Sequence, residues 1–306
     1  MIILITGAAG QLGQELTGQL ASAGRLIAVD RSSGPPGQRT VKTDLSDLSR
    51  VEILLNRMRP DLIVNAAGYT AVDRAEDEQE IAFRVNAELP GCLARWAVRN
   101  GRALLHYSTD YVFDGNSSRP YRETDIPQPL NAYGESKHAG EEAVTNSGCR
   151  HLILRTSWVY SGHGSNFVLT MLRLARQRPS LSVVSDQIGC PTWARNLAWV
   201  TGRLVTQFAA GDNGDFKDGI YHYCDADVVS WFDFARLIFD TAVRYGLLER
   251  LPEMTPVASS GFPQKAVRPL YSALDTSAIQ RDYGIKPAAL KSSLEACIEG
   301  IRQNEP

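Results

Sequence analysis

Apolar positions in the first half of the chain follow two alternating rhythms. Ile2–Thr6 is a short, almost wholly apolar run, the pattern of a strand buried on both faces of a parallel sheet. Gln11–Ala23 takes helical spacing and runs up to Gly24, a common stop residue. Arg25–Asp30 reads as the next strand, and Ser32–Gln38, rich in Gly, Pro and Ser, as a surface loop. A third, short strand precedes Asp44. Ser46–Met58 has helical spacing closed by Pro60, Asp61–Asn65 is a strand, and Glu78–Asn100 is a helical region interrupted near Pro90. Ala103–Ser108 adds another strand. Strand–helix alternation of this kind predicts an α/β protein with a Rossmann-like, doubly wound parallel sheet.

The texture changes after Arg119. Pro120, Pro127 and Pro129 make an irregular segment, then a helix is expected over Ala132–Asn146 and one more sheet strand over Leu152–Thr156. From Trp158 onward turn residues increase, and four of the five tryptophans (Trp158, Trp193, Trp199, Trp231) fall here. The pattern predicts a first domain over residues 1–155 and a smaller C-terminal α/β domain over 156–306, with residues of roughly 183–225 returning to the first.

Composition narrows the function classes. Lys plus Arg number 32 against 34 Asp plus Glu, a net charge of −2, so no broad basic field suggests nucleic acid or an anionic membrane. No apolar run approaches the ~18–20 residues of a membrane helix. Met1–Ile5 lacks a charged start and runs at once into glycines, which fits a strand better than a signal peptide. The five cysteines (Cys92, Cys149, Cys190, Cys224, Cys297) are dispersed, without a C-x-x-C pair, and read as small core residues of a cytoplasmic protein.

Gly7-Ala8-Ala9-Gly10-Gln11-Leu12-Gly13 follows the first strand and opens the first helix. Gly7 permits the tight turn, Gly10 lets backbone approach a pyrophosphate, and Gly13 lets helix and strand pack closely. The helix N-terminus adds unpaired N–H groups and a partial positive charge, so the stretch reads as a dinucleotide site. Asp30 ends the second strand, where a carboxylate can accept from a ribose 2′-OH. Arg31 beside it can instead pair with a 2′-phosphate, so NADPH and NADH both remain open. Asp44 and Leu45 are placed at the adenine, and Asn65-Ala66-Ala67-Gly68 offers small residues at another strand's carboxyl end.

Tyr133 and Lys137 stand at i and i+4 on one helix face. A free phenol titrates near ~10, and a cationic Lys one turn away is expected to favour the tyrosinate and bring the group into a useful acid–base range. Ser108-Thr109-Asp110-Tyr111 emerges from a strand at the sheet's carboxyl edge, where a hydroxyl can hold a carbonyl oxygen as charge develops on it.

These motifs together resemble the extended short-chain dehydrogenase/reductases of nucleotide-sugar metabolism. Further strings narrow the resemblance: Ala66-Ala67-Gly68-Tyr69-Thr70-Ala71-Val72-Asp73, Ser108-Thr109-Asp110-Tyr111-Val112-Phe113-Asp114-Gly115, Arg155-Thr156-Ser157-Trp158-Val159-Tyr160 and Asp186-Gln187-Ile188-Gly189-Cys190-Pro191-Thr192. They are similar to the dTDP-4-dehydrorhamnose reductase family over residues 2 to about 295. The resemblance implies NAD(P)H-dependent reduction of a dTDP-linked keto sugar, with Thr109, Tyr133 and Lys137 catalytic. It also implies sugar contacts from Asp110, Tyr111 and Trp158, and cofactor contacts from Gly7, Gln11, Leu12, Asp44, Leu45, Ala66, Ala67 and Thr70. A homodimer is compatible with it. Some members hold Mg²⁺ between subunits through glutamates; Glu15 matches one, but Arg195 stands at a partner position, so no metal is expected. Another nucleotide-sugar epimerase or reductase, or a cofactor-binding regulatory subunit, are the alternative readings.

The five histidines lack metal-ligand spacing and read as structural. Asp73–Glu80 reads as a solvated helix face, and Trp231-Phe232-x-Phe234 as core of the second domain.

Overall fold

The computed structural model describes residues 1–35, 37–210 and 217–303. Pro36 of the expected loop and part of the 183–225 segment lie outside the described residues. Six strands appear in order: β1 (Ile2–Thr6), β2 (Arg25–Asp30), β3 (Thr40–Lys42), β4 (Leu62–Asn65), β5 (Ala103–Thr109) and β6 (Arg150–Thr156). With the later strand Gly219–His222 they form one parallel sheet, ordered Gly219–His222, β6, β5, β4, β1, β2, β3. The order reverses between β1 and β4, which is where a doubly wound sheet opens a crevice at its carboxyl edge.

The apolar strand runs are explained by cover on both faces. Ile3 and Ile5 of β1 point into one layer with Leu16 of helix α1 (Gln11–Gln19) and Leu197 and Leu204 of the helix Ala194–Ala210. Leu4 points into the other layer, with Leu55 of α2 (Leu48–Met58) and Trp96 of α5 (Leu89–Arg99). Between α2 and α5 lie two short helices, α3 (Val72–Ala75) and α4 (Gln79–Phe83). A third core gathers Phe234, Ile238 and Leu294 from the helices Trp231–Arg244 and Leu290–Gln303.

Most boundaries shift by one or two residues, and two differ more. Helix α1 ends at Gln19, four residues early, because Leu20 already caps it and is buried. The break in the long helical region falls at a π-helical turn, Arg84–Glu88, rather than at Pro90. Pro90 sits in the first turn of α5, where its missing N–H costs nothing. The π-turn aims the buried Asn86 side chain at Tyr69, accepting from its N–H at 2.8 Å and donating to its carbonyl at 3.0 Å.

The helix α6 (Ala132–Thr145) starts at Asn131, whose side chain accepts from the Gly134 N–H. A Cβ on Gly134 would lie 2.2 Å from the Tyr111 carbonyl oxygen, and one on Gly140 would lie 2.0 Å from that of Asn86. Only glycine permits this approach.

Beneath α6, Glu141 accepts two bonds from Arg155 of β6, at 2.8 and 2.6 Å, with both side chains buried. Burial alone would raise the Glu141 pKa, yet the Arg155 hydrogen bonds and charge, aided by His138, bring it down to about 2. Removing one partner of such a pair strands the other charge in the interior. Arg155→Met is therefore expected to destabilise the fold by about 3–5 kcal/mol, measured by urea denaturation, with Glu141→Gln/Arg155→Met milder than the single change.

Candidate active site

Two cavities stand out among the described residues, one at the carboxyl edge of the sheet and one beside residues 262–268. The first, about 850 Å³, opens at the switch point and is lined by Gly7, Gly10, Asp30, Arg31, Asp44, Leu45, Ala66, Ala67 and Thr70. Nine of the residues expected to touch a cofactor thus share one wall. Gly7 has a φ of +68°, and a Cβ there would lie 2.6 Å from the Ala66 backbone. Gly13 is just as confined, since a Cβ would approach the Gly7 carbonyl oxygen to 2.0 Å. The first turn of α1 carries no acidic residue, which leaves its positive end available to an anion. The residues fit a dinucleotide.

Individual side chains have more varied duties than the motif suggests. Asp30 is committed to its own backbone: Oδ2 accepts from Ala9 N–H at 3.0 Å and Oδ1 from Ser32 N–H at 3.0 Å. It ties the glycine turn to β2, while Arg31, Lys42 and Arg50 bring positive charge to the same cavity. The Asp44 carboxylate accepts from the Ser46 hydroxyl and N–H, which hold its pKa below the usual range. Leu12 packs on the sheet core. The Gln11 side chain faces the loop of residues 161–166, accepting from Ser161 Oγ at 3.0 Å and Asn166 Nδ2 at 2.8 Å and donating to the Ser165 carbonyl at 3.2 Å.

Thr109 and Asp110 are buried where β5 ends. The Thr109 hydroxyl donates to Asp110 Oδ1 at 3.0 Å and accepts from Tyr111 N–H at 3.2 Å. Tyr133 meets the Tyr111 ring edge-on, centroids 5.7 Å apart. The expectation that Lys137 draws the phenol down is corrected by the structure. Burial pushes the Tyr133 pKa up to about 12, with the Thr109 hydroxyl opposing and Asp110 adding to the rise. Lys137 instead donates to the Tyr107 carbonyl at 2.5 Å, and burial lowers it to about 8 against the opposing charge of Glu141. Burial likewise raises Asp110 to about 7, against hydrogen bonds from Ser272 and Thr109. Beneath them, Thr6 donates to Asn65 at 2.6 Å, and the Asn65 amide meets His106 at 2.9 Å.

The second cavity, about 600 Å³, is walled by aromatic rings (Phe167, Trp231, Phe262) and by Asp73, Gln187 and Arg268. Trp158 is not in its wall. That residue has a φ of +47°, and its ring lies flat against Trp231 with centroids 3.4 Å apart, while Gly189 supplies the space on which it rests. Trp231, read from sequence as core, packs on the third core and also lines this cavity. Asp73–Glu80 also departs from a merely solvated face: Asp73 bonds residues 265–268, Glu76 accepts from Ala132 N–H, and Glu78 accepts from the Tyr69 hydroxyl. Sequence reasoning missed Arg268 altogether. Its one signal was an Arg-Pro pair in a turn-rich stretch.

Glu15, the residue matched to a family metal ligand, has its carboxylate 3.1 Å from Arg195 Nε, with His163 at 4.0 Å. A guanidinium already neutralises it, and Arg195 itself lies over the Trp193 ring. These residues do not fit a divalent cation, and among the described residues no three His, Cys, Asp or Glu converge as ligands. Nor is any described helix long and apolar enough to cross a membrane.

A glycine turn at the switch point of a parallel sheet, beside a buried Tyr-x-x-x-Lys helix, defines an oxidoreductase of the extended short-chain type. Comparison with known proteins narrows the class. The family model described as RmlD substrate binding domain matches residues 1–303, and the chain belongs to the dTDP-4-dehydrorhamnose reductase family. It is 42% identical to the dTDP-4-dehydrorhamnose reductase of Aggregatibacter actinomycetemcomitans, over 96% of this chain and 97% of that one. Identity to the Salmonella typhimurium reductase is 43%, with 93% of each chain covered. A crystal structure of the reductase from Bacillus anthracis in complex with NADP superposes with a TM-score of 0.85 at 32% identity, covering 97% of this chain and 98% of that one. A UDP-glucose 4-epimerase from Thermus thermophilus, 20% identical with a TM-score of 0.80 over both full chains, shares the fold.

The two pKa values assign the pH profile. Burial keeps the Tyr133 phenol protonated up to about 12. The Lys137 ammonium is lost as pH rises through about 8. We expect kcat/KM to fall above that pH, and Lys137→Arg, which stays charged, to move the alkaline limb upward in a pH–rate series.

Proposed function

We propose that the protein catalyses NAD(P)H-dependent reduction of the C4 ketone of dTDP-4-dehydro-L-rhamnose to dTDP-L-rhamnose, the last step of dTDP-rhamnose synthesis. The observation that carries this reading is that Thr109, at the carboxyl end of β5, meets Tyr133 of the helix that also bears Lys137, on the sheet edge where the cavity lined by Gly7, Ala66 and Thr70 opens.

Reduction of a ketone needs a hydride on carbon and a proton on oxygen. Bound NADPH or NADH supplies the hydride. Thr109 is placed to hold the carbonyl oxygen and orient it. Tyr133, a phenol that burial keeps protonated, donates to the forming alkoxide. Lys137, one helical turn along and held on the Tyr107 carbonyl, is read as the group that holds the nicotinamide ribose. Glu141 favours the charged form of that lysine, so the Arg155–Glu141 pair supports the chemistry from below. Asp110 and Tyr111 border the ketone. Residues 1–155, with returning segments of 183–225, are read as the cofactor-binding unit, and 156–306 mainly as the clamp on the sugar nucleotide. The packing of the helix Ala194–Ala210 against α1 supports that division.

Tyr133→Phe is expected to lower kcat by roughly 10²–10⁴-fold with cofactor affinity little changed. Stopped-flow NADPH oxidation and a fluorescence titration measure the two quantities, and unaltered turnover overturns the assignment. Oxidation of NADPH by dTDP-4-dehydrorhamnose, beside GDP- and UDP-linked keto sugars, tests the substrate; a cofactor that is retained and not consumed indicates an epimerase. We also propose that no divalent cation is needed, supported by the Glu15–Arg195 pair. Rates in EDTA and in Mg²⁺ should then agree within experimental scatter, whereas a loss with EDTA that Mg²⁺ restores overturns this.

A further inference from the structure

Asp73 stands at the head of α3, three residues past Thr70 on the rim of the first cavity, yet all its bonds run to the far end of the chain. Its Oδ1 accepts from the N–H groups of Lys265 at 3.1 Å and Ala266 at 3.0 Å, and its Oδ2 accepts from Arg268 Nη2 at 2.7 Å. Arg268 uses its other arm on Gln264 Oε1 at 2.6 Å, and its guanidinium also reaches the Tyr111 hydroxyl. Tyr111 in turn lies edge-on to Tyr133.

Two further contacts fix the same stretch. Asn131, which caps the helix bearing Tyr133, donates to the Val267 carbonyl at 2.7 Å. The backbone at Pro269–Leu270 passes so close to Gly115 that a Cβ there would lie 2.7 Å from the Leu270 nitrogen. Residues 264–270 thus touch the cofactor-side helix α3, the start of α6 and the loop after β5. Asp73, Gln264 and Arg268 also share the wall of the second cavity.

We propose that Asp73 and Arg268 are positioning residues: their ion pair latches residues 264–270 against the cofactor-binding side, closing the wall of the substrate cavity and setting Tyr111 against Tyr133. The pair is partly exposed, so it contributes little to overall stability; its worth lies in geometry. Neither residue reaches the reacting atoms, and each acts through Tyr111 or the cavity wall. Arg268 is suited to the role because a planar fork addresses Asp73 and Gln264 at once, which a lysine does not.

This inference rests on the reductase reading, and the tests separate the two. Wild-type NADPH oxidation with dTDP-4-dehydrorhamnose tests the reading alone. Given that activity, Asp73→Asn and Arg268→Gln should each raise KM for the keto sugar about tenfold, a typical coupling between residues sharing a network. NADPH affinity and Tm should stay near wild type, and the double variant should be no worse than the stronger single. Arg268→Lys should recover KM better than kcat. Effects that multiply in the double variant, or a parallel loss of NADPH affinity, overturn the proposal. Hydrogen exchange on the ligand-free protein reads the latch without turnover. Asp73→Asn should speed exchange in 264–270 and at the start of α6 while α1 is unaffected, and an unchanged α6 refutes the coupling. Lys265→Met, which removes only the exposed Asp77 pairing, serves as the control and should leave kinetics unchanged.

Discussion

Helix α6 approaches its neighbours more closely than side chains ordinarily allow, and the chemistry of the site follows from that approach. With Gly134 against the Tyr111 carbonyl and Gly140 against that of Asn86, the helix is driven down onto the end of β5. Lys137 is then buried, and Tyr133 partly so, by their own backbone's position. Burial raises one pKa and lowers the other, so the pair holds a proton on the phenol and leaves the amine poised near neutrality. A looser helix would hydrate both groups and return each to its ordinary value.

That proximity has to be balanced underneath. Lys137 sits above Glu141, and Glu141 is gripped by Arg155. The three form a line of alternating charge running from the cleft into the sheet. His222 and His106, both buried, have their pKa values pushed down by burial and by the neighbouring cations, so they add no positive charge to this line. Asp110, raised to about 7, and Lys137, lowered to about 8, are therefore the groups whose charge changes near neutral pH, while Glu141 and the two histidines keep theirs.

What the sequence showed, and where it fell silent, has a physical basis. The β1, β2 and β6 runs were legible because strands covered on both faces need continuous apolar residues, and the glycine turn because Gly7 and Gly13 stand where a Cβ would meet backbone, Gly13 against Gly7 itself. Thr109 and the Tyr133–Lys137 pair were legible from local spacing at a strand end and on a helix. The pKa of Tyr133 was not, since it depends on how much of the ring is covered. Nor were Trp231 and Arg268: their partners, Trp158 and Asp73, lie 73 and 195 residues away, and no local periodicity encodes such meetings. The bonds of the Gln11 side chain to Ser161, Ser165 and Asn166 were not legible either, since those partners lie 150 to 155 residues away.

The Gln11 bonds carry a consequence for how the chain can vary. One amide at the mouth of the glycine turn satisfies Ser161, Ser165 and Asn166 together, and Gly164 leaves no room for a larger residue above it. The loop between the two halves is thereby gauged in length: an insertion or deletion between Tyr160 and Phe167 would shift a neighbouring partner out of register with the turn. Lineages of this enzyme should accumulate length variation elsewhere on the surface while this short bridge keeps a constant count.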